Sequence, residues 1–441
     1  MILHDVETFS KYEMEKLQLQ RLQQTVERVY EKVPFYRGKL NERNVKPEHI
    51  RSLEDIRKLP FTTKKDLRDH YPFGLLAVDL REAVRIHASS GTSGKPTVVA
   101  YTKHDIENWS DIVARAIATA GGEPGKVLHN AYGYGLFTGG LGLHYGSERL
   151  GMVTVPVSGG NTDRQVTLIE DFRPEVICGT PSYVLNIAER MRELGKDPRQ
   201  TSLKYGVFGA EPWSEEMRRT LEEAFAIKAC DIYGLSEVIG PGVAMECHEA
   251  QDGLHIADDH FYVEVINPKT LEPVADGEEG ELVFTSLTKE AFPVLRYRTG
   301  DIASITREQC KCGRTTTRMS RVKGRVDDML IIRGVNVFPS EIEHYLLTVP
   351  ELAPYYQIHL DRKGTLDVVE LHVEVNEEFM GEISGDMKHE RVMLLKKHIQ
   401  HLLKNYCLVS MNIEIHTPKT LPRSEGKAIR IIDRRKEKAK I

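Results

Sequence analysis

The chain has 441 residues, 40% hydrophobic and 28% charged, with a formal net charge of −5. That length accommodates two or three domains and a large core, and the charge balance leaves no global basic footprint for nucleic acid or an anionic membrane. No apolar run approaches the roughly 20 residues of a membrane span, and the first residues lack the apolar stretch of a signal peptide. Six cysteines in so long a chain suit a reducing cytoplasm better than a disulfide scaffold. The basic run Arg434-Arg435-Lys436-Glu437-Lys438 reads as a solvated terminus.

Leu19, Leu22, Val26, Val29 and Val33 recur at three- and four-residue spacing, which predicts an amphipathic helix ended by Pro34. Its stripe suits packing within the chain or a homodimer interface. From about Val98 to Tyr233, short apolar runs alternate with helical stretches. Strands are expected at Val98–Tyr101, Val127–Tyr132, Met152–Val157, Glu175–Cys178, Tyr205–Phe208 and Ala229–Tyr233. Helices are expected after Thr102, where Asp105 completes a capping-box-like start, and at Tyr183–Leu194 and Ser214–Phe225. Such alternation argues for an α/β sheet with helices on its faces, whose ligands bind beyond the carboxyl ends of the strands. Between Gly242 and Arg321 the pattern becomes β-rich, with strands at Phe261–Ile266, Glu281–Ser286 and Ile302–Thr306. Beyond Gly324 comes a hairpin at Met329–Phe338, a helix from Pro339, strands at Tyr356–Leu360 and Val368–Val375, a helix at Lys388–Asn405 and a strand at Asn412–His416. The expected architecture is a large α/β domain over residues 1–325 with a β-rich subdomain at about 242–321, followed by a small α+β domain over 326–441.

Three clusters carry chemistry. Ser89-Ser90-Gly91-Thr92-Ser93-Gly94-Lys95-Pro96-Thr97 packs hydroxyls, glycines and one lysine into a loop suited to polyphosphate: glycines admit close backbone approach, and N–H groups and hydroxyls donate to an anion. Its Gly-x-x-Gly-Lys spacing is not that of a P-loop, and taken alone it equally describes a surface turn. Tyr132, Tyr134, Leu136 and Phe137, interleaved with Gly133, Gly135, Gly139 and Gly140, form either an apolar ligand wall or a Gly-rich loop with aromatics in the core. Cys310-Lys311-Cys312 offers two thiolates to one metal, and Cys247 with His248 or, better, His255 would complete a tetrahedral zinc site. The alternative is plain reduced thiols.

Five segments occur in order: Ser89–Thr97, Tyr233-Gly-Leu-Ser-Glu237, Arg298-Thr-Gly-Asp301, Gly324-Arg-Val-Asp-Asp328 with Arg333-Gly334, and Pro422-Arg-Ser-Glu-Gly-Lys427. Together they resemble the adenylate-forming superfamily of acyl-CoA synthetases, adenylation domains and luciferases, over nearly the whole chain. Asn130–Gly140, Thr285-Ser-Leu-Thr-Lys-Glu-Ala291 and Asp328–Pro339 look more specifically like phenylacetate–CoA ligases. The resemblance implies the adenylate-forming fold and an AMP-forming ligase that uses ATP, Mg²⁺ and CoA to activate phenylacetate or a related aryl acid. It implies ATP or AMP contacts from Ser90, Gly91, Thr92, Ser93, Gly94, Lys95, Ala210, Glu211, Asp231, Ile232, Tyr233, Gly234, Ser236, Asp301 and Arg325. Glu237 would hold Mg²⁺, and Asp301 would take the ribose hydroxyls. Lys427 would sit between the carboxylate and the α-phosphate, a task for a compact positive charge. Tyr134, Phe137, Gly139, Ile239, Gly240 and Pro241 would shape the acyl pocket. Asp327 would be the hinge of a mobile C-terminal domain, and Gly334 would face CoA. Competing readings change the acceptor to a carrier protein or a deazaflavin coenzyme, or make the chain a nucleotide-binding regulator without turnover.

Overall fold

The computed structural model describes residues 1–89, 96–326, 330–332, 335–363, 366–425 and 427–435. The chain divides into two compact units. One comprises Met1–Gly179, Gln200–Ala210 and Ala226–Val322; the other comprises Thr180–Arg199, Glu211–Phe225 and Lys323–Ile441.

The opening helix of the first unit spans Lys11–Lys32 and is started by a capping box. Ser10 accepts from the Glu13 N–H, and Glu13 accepts from the Ser10 N–H at 2.8 Å. Leu22, Val26 and Val29 form its buried stripe. Pro34 does more than end this run: it occupies the first turn of a second helix, Pro34–Glu42, where its missing N–H leaves no bond unmade.

A nine-stranded sheet forms the centre of this unit. Its order is Ile305–Thr306, Arg318–Met319, Leu254–Ile256, Gly240–Glu246, Lys228–Leu235, Tyr205–Gly209, Val176–Gly179, Val127–Asn130 and Val153–Val155. The strands from Lys228–Leu235 to Val153–Val155 run parallel, and the others are antiparallel to their neighbours. Part of the β-rich stretch therefore extends the main sheet. The remainder, Phe261–Ile266, Gly280–Ser286 and Tyr297–Ala303, pairs antiparallel in a separate sheet.

The helix after Thr102 spans Lys103–Thr119 with the expected Thr102/Asp105 capping box. It packs on a helix at Thr138–Leu150. Gly139 and Gly140 thus open a helix instead of lying in a loop. Glycine disfavours a helix by about 1 kcal/mol per residue, but close packing requires it here. A Cβ at Gly146 would lie 2.4 Å from Val113, and one at Gly142 would lie 2.6 Å from Pro241.

In the second unit the hairpin Leu330–Ile332 with Val335–Val337 precedes a helix at Pro339–Leu346. A four-stranded sheet follows, ordered Asn412–His416, Leu366–Val375, Leu352–Lys363 and Ile431–Asp433. Ile358, Leu360, Leu371, Val373 and Ile413 pack with Leu395, Ile399 and Leu403 of the helix Glu390–Tyr406. Strand alternation leaves a polar opposite face. Helices Pro181–Glu193 and Glu215–Phe225 belong to this unit as well. No described helix is long and apolar enough to cross a membrane.

Candidate active site

The carboxyl ends of the parallel strands in the first unit collect many of the nucleotide and acyl-pocket residues singled out by sequence. Tyr205–Gly209 runs directly into Ala210, which takes a left-handed conformation (φ 69°) and is exposed. Asp231, Ile232, Tyr233 and Gly234 lie in the strand Lys228–Leu235, and Ser236 and Glu237 follow it. The Asp231 N–H donates to Glu246 at 3.0 Å, and the Arg321 guanidinium lies 3.8 Å from both carboxylates. Tyr233 donates its hydroxyl to Asp301 Oδ2 at 2.6 Å, while its ring stacks on Phe284. Asp301 is buried on Tyr297–Ala303 after Gly300, which takes φ 78°. The Gly300 N–H is held by Glu281 and the Asp301 N–H by Thr299. An oriented carboxylate beside a phenol is therefore built where two sheets of this unit meet, the arrangement needed to accept two neighbouring hydroxyls.

Gly234 has no room for a side chain, since a Cβ would lie 2.0 Å from the Gly240 carbonyl. Ser236 hydrogen-bonds Thr138 at 3.1 Å, and Glu237 is buried. Ile239 accepts the Tyr101 hydroxyl at 2.7 Å, and Pro241 accepts the Trp109 indole N–H at 3.0 Å. Gly240, at φ 123°, faces Trp109 so closely that a Cβ would lie 2.4 Å from the ring. Tyr134 is half-buried and tied to Asn130 at 2.8 Å and His144 at 3.1 Å; burial pushes its phenol up to about 12. Gly139 lies against the Tyr132 ring, and Phe137 and Leu136 are more than half exposed. Of the two readings of this segment, Tyr132 follows the core one, while Leu136 and Phe137 are left available to a ligand.

Ser90, Gly91, Thr92, Ser93, Gly94 and Lys95, expected to hold polyphosphate, Asp327, expected as a hinge, and Gly334, expected to face CoA, lie outside the described residues. The loop's flanks are informative. Ser89 N–H donates to the Thr97 carbonyl at 2.9 Å, so the two ends are paired. Ser89 Oγ, Thr97 Oγ1, Arg85 Nη1, His87 Nε2 and Lys289 Nζ are all buried and have no hydrogen-bond partner among the described residues. A buried donor left unmade costs about 1–3 kcal/mol, so this concentration marks a place shaped for an anion. Lys289 Nζ lies 4.7 Å from the centre of the Tyr101 ring. Burial lowers it to about 8 against the opposing charges of Asp105 and Glu237. Lys289 lies inside the Thr285–Ala291 segment, which sequence alone gives no separate role. A lysine amid apolar residues in Thr-Lys-Glu-Ala-Phe-Pro was the signal available.

In the second unit Glu211 accepts from the Ser182 N–H at 2.9 Å and the Ala428 N–H at 3.0 Å. The neighbouring Lys427 is exposed. Its loop is moored on both sides. Arg423 makes paired bonds of 2.9 Å to Glu374 and bonds of 3.0 and 3.3 Å to Glu189, with Tyr355 stacked on the guanidinium. Glu374, wholly buried, also accepts the Lys419 and Leu421 N–H groups. Arg430 pairs with Glu343. Arg325 is half-buried at the start of this unit.

A second centre lies in the first unit. Ligand atoms of Cys247, His255, Cys310 and Cys312 all fall within 4.8 Å of one another. Cys247 and Cys310 sulfurs are 3.8 Å apart, and Cys312 Sγ is 3.5 Å from His255 Nε2. His255 Nδ1 meets Thr316 Oγ1 at 3.1 Å, which fixes the ring. His248 instead packs on Tyr205 and pairs with Glu249, so His255 is the histidine of the cluster. All six cysteines are unbridged.

The fold and these motifs define an adenylate-forming enzyme. The AMP-binding enzyme family matches residues 14–288, and the AMP-binding enzyme C-terminal domain matches 334–435. Crystal structures of 2-hydroxyisobutyryl-CoA ligase, 30% identical, superpose with a TM-score of 0.91 in the postadenylation state with R3-HIB-AMP, covering 98% of this chain and 92% of that one. The phenylacetate-coenzyme A ligase of Thermus thermophilus is 53% identical over 440 residues, 98% of this chain and 99% of that protein. That of Escherichia coli K12 is 52% identical over 434 residues, 98% of each. The chain belongs to the phenylacetate–coenzyme A ligase family of AMP-forming acid–thiol ligases.

Proposed function

We propose that the chain joins phenylacetate, or a closely related aryl acid, to coenzyme A while cleaving ATP to AMP and pyrophosphate. The observation that carries this reading is the Tyr233–Asp301 pair, joining the carboxyl-end half of a parallel strand to the second sheet, in a chain about half identical to such ligases along its length. A carboxylate oxygen of the acid attacks the α-phosphorus, and pyrophosphate leaves. The CoA sulfur then attacks the acyl carbon, and AMP leaves. Bringing two anions together needs cations and N–H dipoles where charge accumulates. In this reading Asp301 receives the ribose, and Ala210, Glu211, Asp231, Ile232 and Tyr233 border the nucleotide. The Ser90–Lys95 loop and the donors beside it hold the departing phosphates, and Lys427 bridges carboxylate and α-phosphate. Glu237, a buried hard-oxygen donor, fits Mg²⁺, which when bound neutralises phosphate charge. Asp327 serves as the hinge about which residues 326–441 move, so that Lys427 withdraws and the thiol can approach.

Three thiols and an imidazole within 4.8 Å of one another fit structural zinc, and Cys247, His255, Cys310 and Cys312 would hold it. Metal analysis of protein purified without added zinc tests this. One zinc per chain supports it, and clearly substoichiometric zinc contradicts it. Six unbridged cysteines support a cytoplasmic setting, and such a ligase would open a route of aromatic-acid degradation. The stripe of the opening helix is taken up by the core of its own chain, and sedimentation reads whether two chains pair by another surface.

Pyrophosphate release across a panel of carboxylic acids, with and without CoA, tests the main reading. Selective release with arylacetates and CoA-dependent turnover support it. Release that turns over only with a carrier protein or a deazaflavin would move the function to that acceptor.

A further inference from the structure

The polar face of the sheet in the second unit carries a histidine cluster that the ligase chemistry does not use. His359 lies on Leu352–Lys363, His372 on Leu366–Val375 and His416 on Asn412–His416. Register places His359 opposite Glu370 and His372 opposite Gln357, so His359 and His372 are diagonal neighbours on one face. Their rings are 4.1 Å apart, inclined by 32°. The His416 ring stacks on the far side of His372 at 5.1 Å and 12°. All four side chains are half-buried, and the opposite face of the same strands is anchored by Ile358, Leu360, Leu371 and Val373 in the core.

We propose that His359, Glu370 and His372 form a binding site for a divalent transition ion with imidazole affinity, such as Zn²⁺, Ni²⁺ or Cu²⁺, and that His416 orients it. One ligand atom from each of the three residues lies within 4.8 Å of the others. Metal bonds of about 2.0–2.2 Å bring such atoms about 3.3 Å apart, so small rotamer shifts suffice. His372 Nε2 is already 3.3 Å from Glu370 Oε2, and its other nitrogen, Nδ1, is 2.9 Å from His416 Nε2.

This pairing gives His372 two consistent states. Without metal, His372 Nε2–H donates to Glu370 and His416 Nε2–H donates to Nδ1. With metal, the ion replaces the proton on Nε2, which leaves to solvent. The His416 Nε2 proton shifts to His372 Nδ1 and His416 takes a solvent proton at its own Nδ1, so that His372 Nδ1–H now donates to His416 Nε2. A ligand histidine commonly has its tautomer fixed by an acceptor on its other ring nitrogen, and here the His416 nitrogen is placed to be that acceptor. The two-nitrogen, one-carboxylate set suits these ions and not Mg²⁺ or Ca²⁺, which prefer oxygen. The site differs in ligands and in compact unit from the cysteine cluster, and it does not depend on that cluster holding zinc.

Metal-depleted full-length protein titrated with Co²⁺ separates the two. Thiolate ligation gives an intense near-ultraviolet charge-transfer band, whereas an imidazole–carboxylate site gives only weak visible bands, and calorimetry counts total equivalents. The expected result is a Co²⁺ equivalent that adds no thiolate band. It should weaken at least tenfold in the double variant His359→Asn/His372→Asn, with the thiolate band unchanged. His416→Asn should weaken it by about 10–100-fold. Glu370→Gln, a single change at a half-exposed position, provides a second arm should the double variant fail to fold. Isotherms for that single variant and the wild type that superimpose would overturn the proposal, as would the absence of any equivalent lacking the thiolate band.

Discussion

Replacing Glu374 by Gln should loosen the loop that carries Lys427. Glu374 is wholly buried and accepts four bonds, two from Arg423 at 2.9 Å and one each from the Lys419 and Leu421 N–H groups. The amide keeps the shape but removes the charge, and it turns one acceptor into a donor facing donors. Breaking a buried ion pair costs about 3–5 kcal/mol. Arg423 retains Glu189 at 3.0 and 3.3 Å, which places the loss near the lower end, about 3 kcal/mol. At 1.4 kcal/mol per decade this is roughly a hundredfold change in the local equilibrium. Denaturant unfolding of the full chain reads the stability loss, and pyrophosphate release at saturating ATP and acid reads the effect on Lys427. A cycle with Arg423→Gln isolates the pair, and the double variant should lose less than the sum of the singles. Identical unfolding midpoints for Glu374→Gln and wild type, or strict additivity, would refute the mooring.

Two further predictions concern the first unit. Burial raises the Asp258 carboxyl to about 7, against the bond from the Thr317 N–H at 2.6 Å. A carboxyl whose folded pKa is raised contributes stability that is full below about pH 4 and lost as pH climbs through 7. Asp258→Asn should therefore melt higher than wild type at pH 8 and close to it near pH 4.5; an equal difference at both would contradict the assignment. Lys289→Met should lower kcat/KM for ATP by about 10–100-fold, the worth of one charged hydrogen bond of about 1.5–3 kcal/mol, with kcat for thioester formation from preformed acyl adenylate spared. Unchanged ATP kinetics would return Lys289 to a purely structural role.

Much of the fold is legible where the hydrophobic period is clean. Phe261–Ile266 and Asn412–His416 fall where alternation puts them, and the Thr102/Asp105 signal marks a real helix start. The helix Thr138–Leu150 is hidden because its glycines answer to Val113 and Pro241 in space, not to local propensity. The second helix at Pro34–Glu42 is masked by reading proline only as a stop. At the site, Tyr233, Glu237 and Asp301 stand out through motif order, and the cysteine cluster through its spacing and a nearby histidine. Arg85, His87 and Lys289 are invisible until burial leaves each with a polar atom that has no partner among the described residues. The histidines of the second sheet are 13 and 44 residues apart in sequence, and only strand pairing brings them together.

The division of labour assigned to Lys427 is tested most directly by measuring both half-reactions of Lys427→Ala. Pyrophosphate release with ATP and arylacetate should fall by about 100- to 1,000-fold, as expected when a group acting on the transition-state charge is removed. ATP binding should be spared, and synthetic arylacetyl-AMP with CoA should still give thioester and AMP near the wild-type rate. Wild-type pyrophosphate release in this variant would show that Lys427 does not act in adenylation.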